Sequence, residues 1–158
     1  MENLRKYRIA VVQMDSRNDK GANVKYACQC IDEAAANGAK LISFPELYRI
    51  MTLEGAQVIF TPASFTMATG KEHWECILRT RAIENACYIV AADQIGQKHE
   101  FLAYGHSMVI DPWGTIIAKA RDEAGMFYAD IDLDYEDKIR QKVPVLKNRR
   151  ADIYEVKR

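Results

Sequence analysis

The feature that most constrains this chain is the order of its hydrophobic patterns: strand-like apolar runs alternate with helix-period segments, and several strand-like runs then follow one another. Arg8–Met14 (RIAVVQM) is a β-branched apolar run of strand length. Asp15–Gly21 is polar and turn-like. Across Ala22–Asn37, apolar side chains at Val24, Ala27, Cys28, Ile31, Ala34 and Ala35 recur at steps of three and four, which describes one helix face. Gly38 is suited to stop that helix. Lys40–Phe44 (KLISF) then reads as a second strand, closed by Pro45. Strand, helix and strand in this order predict a parallel pair joined by a right-handed crossover.

The pattern repeats. Leu47–Glu54 reads as a short helix ended by Gly55, and Gln57–Phe60 (QVIF) as a third strand stopped by Thr61-Pro62. A loop of small and hydroxyl residues runs to Gly70. His73–Ala86 reads as a helix with Trp74, Ile77, Leu78 and Ala82 on one face, and Cys87–Ala92 as a fourth strand. Residues 93–103 read as a polar loop. Gly105–Ile110 and Thr115–Ala120 flank Asp111-Pro112-Trp113-Gly114, a turn signal that makes the pair a β-hairpin. Gly125–Leu133 is a last strand with Phe127, Ala129, Ile131 and Leu133 on one side, and Tyr135–Lys142 a helix ending before Pro144. Together these predict an α/β (α+β layered) architecture in one domain spanning residues 1–158.

Composition narrows the function classes. With 158 residues and 49% hydrophobic content, the chain is large enough for a real core. Its 22 basic and 22 acidic side chains cancel, which argues against a dedicated nucleic-acid binder and against disorder. No apolar run reaches the roughly 18 residues that span a bilayer. The charged Met1–Arg8 is followed by an apolar stretch too short for a signal peptide. The expectation is a soluble, cytoplasmic protein without membrane or nucleic-acid partners. Cys28, Cys30, Cys76 and Cys87 form no CxxC pair. Neither a zinc site nor a disulfide framework is expected, and the thiols read as reduced and mostly buried.

Several residues could carry chemistry. Glu46 directly follows a strand, at the carboxyl end where ligands gather in α/β sheets, and a carboxylate there suits a general base. The same placement fits an acidic residue complementing a helix dipole. His73 and Cys76, three apart on a helix, could form a thiol-activating dyad or simply occupy an exposed surface. Cys87 opens a buried strand and reads as packing. His106 reads as a satisfied structural histidine, with a place beside a cleft left open. Lys147, Arg149 and Arg150 form a basic cluster suited to a solvated or interface role. Arg79, Arg81 and Glu84 read as surface ion pairs.

Longer segments resemble the nitrilase, or carbon–nitrogen hydrolase, superfamily, in particular its amidase branch. Gly38–Glu46 (GAKLISFPE) resembles the family's second strand with its general-base glutamate. Phe44–Thr66 (FPELYRIMTLEGAQVIFTPASFT) resembles the segment just after the nucleophile. His73–Ala92, Tyr104–Ala118 (YGHSMVIDPWGTIIA) and Val143–Tyr154 (VPVLKNRRADIY) are similar as well. The resemblance implies an α-β-β-α sandwich and hydrolysis of a small amide by a Cys nucleophile, a Glu base and an oxyanion-stabilising Lys, with no metal or organic cofactor. It assigns Glu46 the role of base.

The chain departs from that pattern at one place. The family carries two FPE-type motifs with the lysine between them and the cysteine just before the second. Here there is one, Phe44-Pro45-Glu46, preceded by first-copy sequence and followed by second-copy sequence. In the second-copy register Ala39 stands at the nucleophile position and Ser43 at the arginine position. Lys40 and Lys71 do not match the lysine segment. The resemblance thus implies a partial sandwich, internally deleted at about residues 44–46 and catalytically impaired. It also implies homo-oligomerisation through helix 73–86 and the tail 143–158, or a non-catalytic partnership with full-length amidases.

Overall fold

A computed structural model describes residues 5–13, 48–149 and single positions at 22, 25, 29, 30, 33, 36 and 37. Glu46, the second predicted strand and the tail beyond residue 149 lie outside the described residues. So does the predicted parallel crossover, although Ala22, Lys25, Gln29, Cys30, Glu33 and Ala36 are helical, as the period predicts.

Strand β1 (Lys6–Gln13) pairs antiparallel with β8 (Gly125–Asp132), in register from Lys6–Asp132 to Gln13–Gly125. Helix α1 (Tyr48–Leu53) leads through Gly55 (φ 101°) into β2 (Val58–Ala63). A helical turn at Met67–Thr69 and a five-residue π-helical turn at Gly70–Trp74 run into α2 (Glu75–Asn85). Next come β3 (Tyr88–Asp93), β4 (Ile95–Gln97), β5 (Leu102–Tyr104), β6 (Met108–Ile110) and β7 (Ile116–Lys119). Helix α3 (Leu133–Lys142) follows β8 directly. The central sheet has the order β2-β3-β6-β7, with β2 and β3 parallel and the other pairs antiparallel.

The two-residue strand period builds two cores. Cys87, Ile89 and Ala91 of one sheet face pack with Met108 and Ile110 against Trp74, Leu78 and Ala82 of the α2 segment. Tyr88, Val90 and Val109 on the other face pack against Ile9, Ala129 and Ile131 of the β1–β8 layer and Leu133 at the start of α3. The layers therefore run helix, sheet, sheet, with β3 buried on both sides.

Four expectations require correction. The third strand does not stop at Thr61-Pro62 but continues through Pro62 to Ala63. β2 closes the order of described strands, and a proline is tolerated at such an edge because no ladder partner is needed there. Residues 93–103 are not a plain loop: β4 and β5 form a hairpin paired from Ile95–Tyr104 to Gln97–Leu102. Its strands are too short to register as alternation. The helix predicted from His73 begins earlier as the π turn, and Ile77 points outward rather than joining Trp74, Leu78 and Ala82. Helix α3 starts at Leu133, two residues before the predicted Tyr135, because the Asp132 carboxylate accepts from Asp134 N and Tyr135 N as an N-cap.

The Asp111–Gly114 turn forms as read. Asp111 Oδ1 accepts from the backbone N–H of Trp113 and of Thr115, each at 2.9 Å. Gly114 (φ 88°) is needed twice: a Cβ there would be strained and would lie 2.6 Å from Ile83 Cγ1 on α2. Among the described residues no helix is long and apolar enough to cross a membrane.

Candidate functional site

The carboxyl ends of the parallel strands β2 and β3 are where an α/β sheet places ligands. Tyr48, two residues beyond Glu46 in the chain, opens α1, and its hydroxyl lies 2.9 Å from Thr61 Oγ1 on β2. The start of α1 is thereby tied to β2. The final residue of β3 is Asp93, only 2% exposed. Its Oδ1 accepts from Phe65 N at 2.9 Å and Gln94 N at 3.0 Å, while Oδ2 is buried without a hydrogen-bond partner. Burial pushes this carboxyl up to about 6, and the N–H groups of Phe65, Gln94 and Gly105 pull against it. Ser107 Oγ accepts from Asp93 N at 2.9 Å and donates to Asp93 O at 3.1 Å, fixing the backbone around it. A buried carboxyl titrating near neutrality can take or release a proton at this edge.

Beside this edge opens a cleft of about 540 Å³, lined by Lys71, Tyr104, His106 and Asp122 with apolar walls from Met67, Ile95 and Leu102. His106 fulfils both of its readings. Its Nδ1 lies 2.9 Å from Tyr104 O and its Nε2 3.0 Å from Asp122 Oδ1, so the ring is satisfied, and it faces the cleft. It stacks on Tyr104 with ring centroids 4.1 Å apart. Trp74 Nε1 donates to His106 O at 3.0 Å, tying the π turn to the same segment.

The described cysteines differ sharply. Cys87 is fully buried, and burial pushes its thiol up to about 12 although Thr52 hydrogen-bonds to it. Such a thiol is packing, as read from the sequence. Cys30 is buried and Cys76 exposed; no contact joins His73 to Cys76 among the described residues, so the dyad does not form. Arg81 pairs with Glu84 at 2.6 Å as expected, whereas Arg79 faces Glu75 at 3.9 Å and donates to Gly114 O. Among the described residues no group of three or more His, Cys, Asp or Glu could hold a metal ion.

A second polar cluster lies at the opposite, amino end of β2 and β3. Glu136 is 0% exposed, with Oε1 2.8 Å from Arg140 Nη2 and Oε2 accepting from Gln57 Nε2 at 2.7 Å. Arg140 also donates to Ala86 O and Ala56 O, which pins α3 to the sheet. Burial pushes the Glu136 carboxyl up to about 7 against the pull of Arg140 and Gln57. Sequence reading missed both Glu136 and Asp93. The available signals were an acidic residue at the core spacing of α3, between Leu133 and Ile139, and an aspartate ending an apolar strand.

The sequence model of the carbon-nitrogen hydrolase family matches residues 8–48 and again residues 43–141, and the chain belongs to that family. Deaminated glutathione amidase of Bos taurus is 48% identical over 112 residues, covering 70% of this chain and 34% of that protein. An omega-amidase of Danio rerio is 43% identical over 116 residues, covering 73% of this chain and 42% of that one. The chain thus spans about a third to two fifths of the length of these curated relatives. The crystal structure of the Caenorhabditis elegans NitFhit protein superposes with a TM-score of 0.67 at 48% identity, over 71% of this chain and 27% of that one. A Saccharomyces cerevisiae member of branch 10 of the nitrilase superfamily superposes at 0.81 with 20% identity, over 92% and 97% of the two chains. That likeness is one of fold alone.

Proposed function

We propose that this chain is an amidase-type carbon–nitrogen hydrolase by descent that does not hydrolyse amides as it stands. The observation carrying this reading is the overlap of the two family matches on residues 43–48, which hold the one FPE-type motif. Two stretches of the family meet on a single copy, and the cysteine- and lysine-bearing segment that would separate two copies has no counterpart. Glu46 keeps the place of the general base, but Ala39 offers no nucleophile. Groups that act as a unit in acyl transfer fail together when one is lost. Of the remaining thiols, the Cys87 thiol at about 12 is far from the thiolate that attack requires.

The test is ammonia release from small omega-amides by the purified chain, alongside Glu46→Gln and the four single Cys→Ser variants. No release above buffer is expected from any of them. Release that disappears in Glu46→Gln or in one Cys→Ser variant overturns the reading and identifies a working substitute thiol.

A second role is favoured by one observation: Ile77 and Ile83 of α2 remain 41% and 48% exposed. Exposed isoleucines of this kind support self-association, or pairing with a full-length relative, through helix 73–86 together with the tail 143–158.

A further inference from the structure

Three unusual local features converge on the cleft beside β5. Gly105 and His106 are consecutive residues at positive φ, 71° and 57°. A non-glycine residue in that region is uncommon and persists only where its surroundings impose it; such residues cluster at ligand sites. Gly70 opens a π-helical turn, a form frequent at functional sites. Its backbone lies so close to Tyr104 that a Cβ would sit 2.2 Å from Tyr104 Cγ. The Tyr104 ring is therefore held between the Gly70 backbone and the His106 imidazole, and Lys71, next to Gly70 in the chain, lines the same cleft.

This scaffold fixes the tautomer of His106. The Tyr104 carbonyl can only accept, so Nδ1 carries the hydrogen of the neutral ring, and Nε2 donates to the Asp122 carboxylate only when the ring is the protonated imidazolium. The Asp122 side chain is 81% exposed, on the turn between β7 and β8, and His106 is 22% exposed. An exposed ion pair of this sort is weak and replaceable. Lys71 lines the same cleft with no ion-pair partner among the described residues. Met67, Ile95 and Leu102 form an apolar wall beside these two donors.

We propose that this cleft is a binding site for small carboxylates with a short apolar body. Lys71 Nζ and the Nε2–H of the protonated His106 ring take the carboxylate, and Asp122 is an internal occupant that the ligand displaces. The assignment does not depend on whether the chain retains hydrolytic activity.

The test uses the full chain, with sodium butyrate as probe and butyramide as its neutral isostere. Binding is followed by NMR of the His106 ring, assigned with His73→Asn and His99→Asn variants. Butyrate is expected to shift the His106 resonances saturably, while butyramide does not. Asp122→Ala removes the competitor without touching the core, and should tighten butyrate binding about two- to fivefold, the worth of an exposed ion pair. Lys71→Ala should weaken it roughly tenfold, as expected for loss of a charged hydrogen bond. The proposal is overturned by the absence of a saturable shift in Asp122→Ala, by an equal response to butyramide, or by unchanged affinity in Lys71→Ala.

Discussion

At the scale of single residues, the unusual carboxyl is Asp93. It ends β3 with one oxygen saturated by backbone N–H groups and the other buried without a partner. Its folded value of about 6 stands above the ordinary 3.8 because burial disfavours the charge. A raised carboxyl binds its proton more tightly in the folded than in the unfolded chain. Its favourable contribution is therefore complete below pH 3.8 and is lost as the pH rises to about 6. The gap corresponds to about 3 kcal/mol. Asp93→Asn keeps an oxygen for Phe65 N and Gln94 N but does not titrate. Urea unfolding should thus find the variant gaining on the wild type as pH rises from about 4 to about 7, with most of the change before pH 6. Parallel pH profiles for the two proteins would show that Asp93 is ionised without penalty.

At the scale of elements, α3 is held to the sheet by polar contacts as well as by its buried Leu133 and Ile139. Arg140 reaches two backbone carbonyls, Ala56 O before β2 and Ala86 O before β3, and at the same time neutralises the buried Glu136. Removing one partner of a buried pair leaves an uncompensated charge, at a cost of about 3–5 kcal/mol, and a Glu136 carboxyl already raised to about 7 carries that charge only above neutral pH. Arg140→Ala should therefore lower stability by about that amount in urea unfolding at about pH 9, and by less at lower pH, where the carboxyl takes a proton. Adding Glu136→Gln should recover part of the loss at about pH 9, because the orphaned charge disappears while the bond to Gln57 remains possible. A double variant no more stable than Arg140→Ala would place the cost in the lost carbonyl contacts instead. The same view explains β2. Its proline is accommodated since nothing described pairs beyond it, and its register with β3 runs unbroken from Val58–Tyr88 to Ala63–Asp93.

At the scale of the whole molecule, the chain keeps helix, sheet and sheet from a family whose amidase members it matches over only 34% and 42% of their length. Two buried clusters on opposite faces of the central sheet supply its core. The outward isoleucines of α2 then predict self-association. Sedimentation across a concentration series should show dimers at high concentration, and Ile77→Glu should abolish them without lowering the unfolding midpoint. A strictly monomeric protein at every concentration would sink this expectation.

Local pattern alone determined most of the elements. The Asp111–Gly114 turn, the face of β8, the stop before Pro144 and the α2 core positions Trp74, Leu78 and Ala82, though not Ile77, were legible because each depends on neighbours in the chain. The family, too, was legible, since its motifs are contiguous. Other features depend on partners distant in sequence. Strand β1 lies against β8, far along the chain, and Pro62 continues a strand because of where β2 sits in the sheet. Asp93 and Glu136 are perturbed because tertiary packing strips water from them. His106 meets Asp122 and shares a cleft with Lys71 through the close approach of Tyr104 to Gly70. Contacts made along the chain follow from residue type and spacing; burial and long-range pairing exist only once the layers have closed on one another.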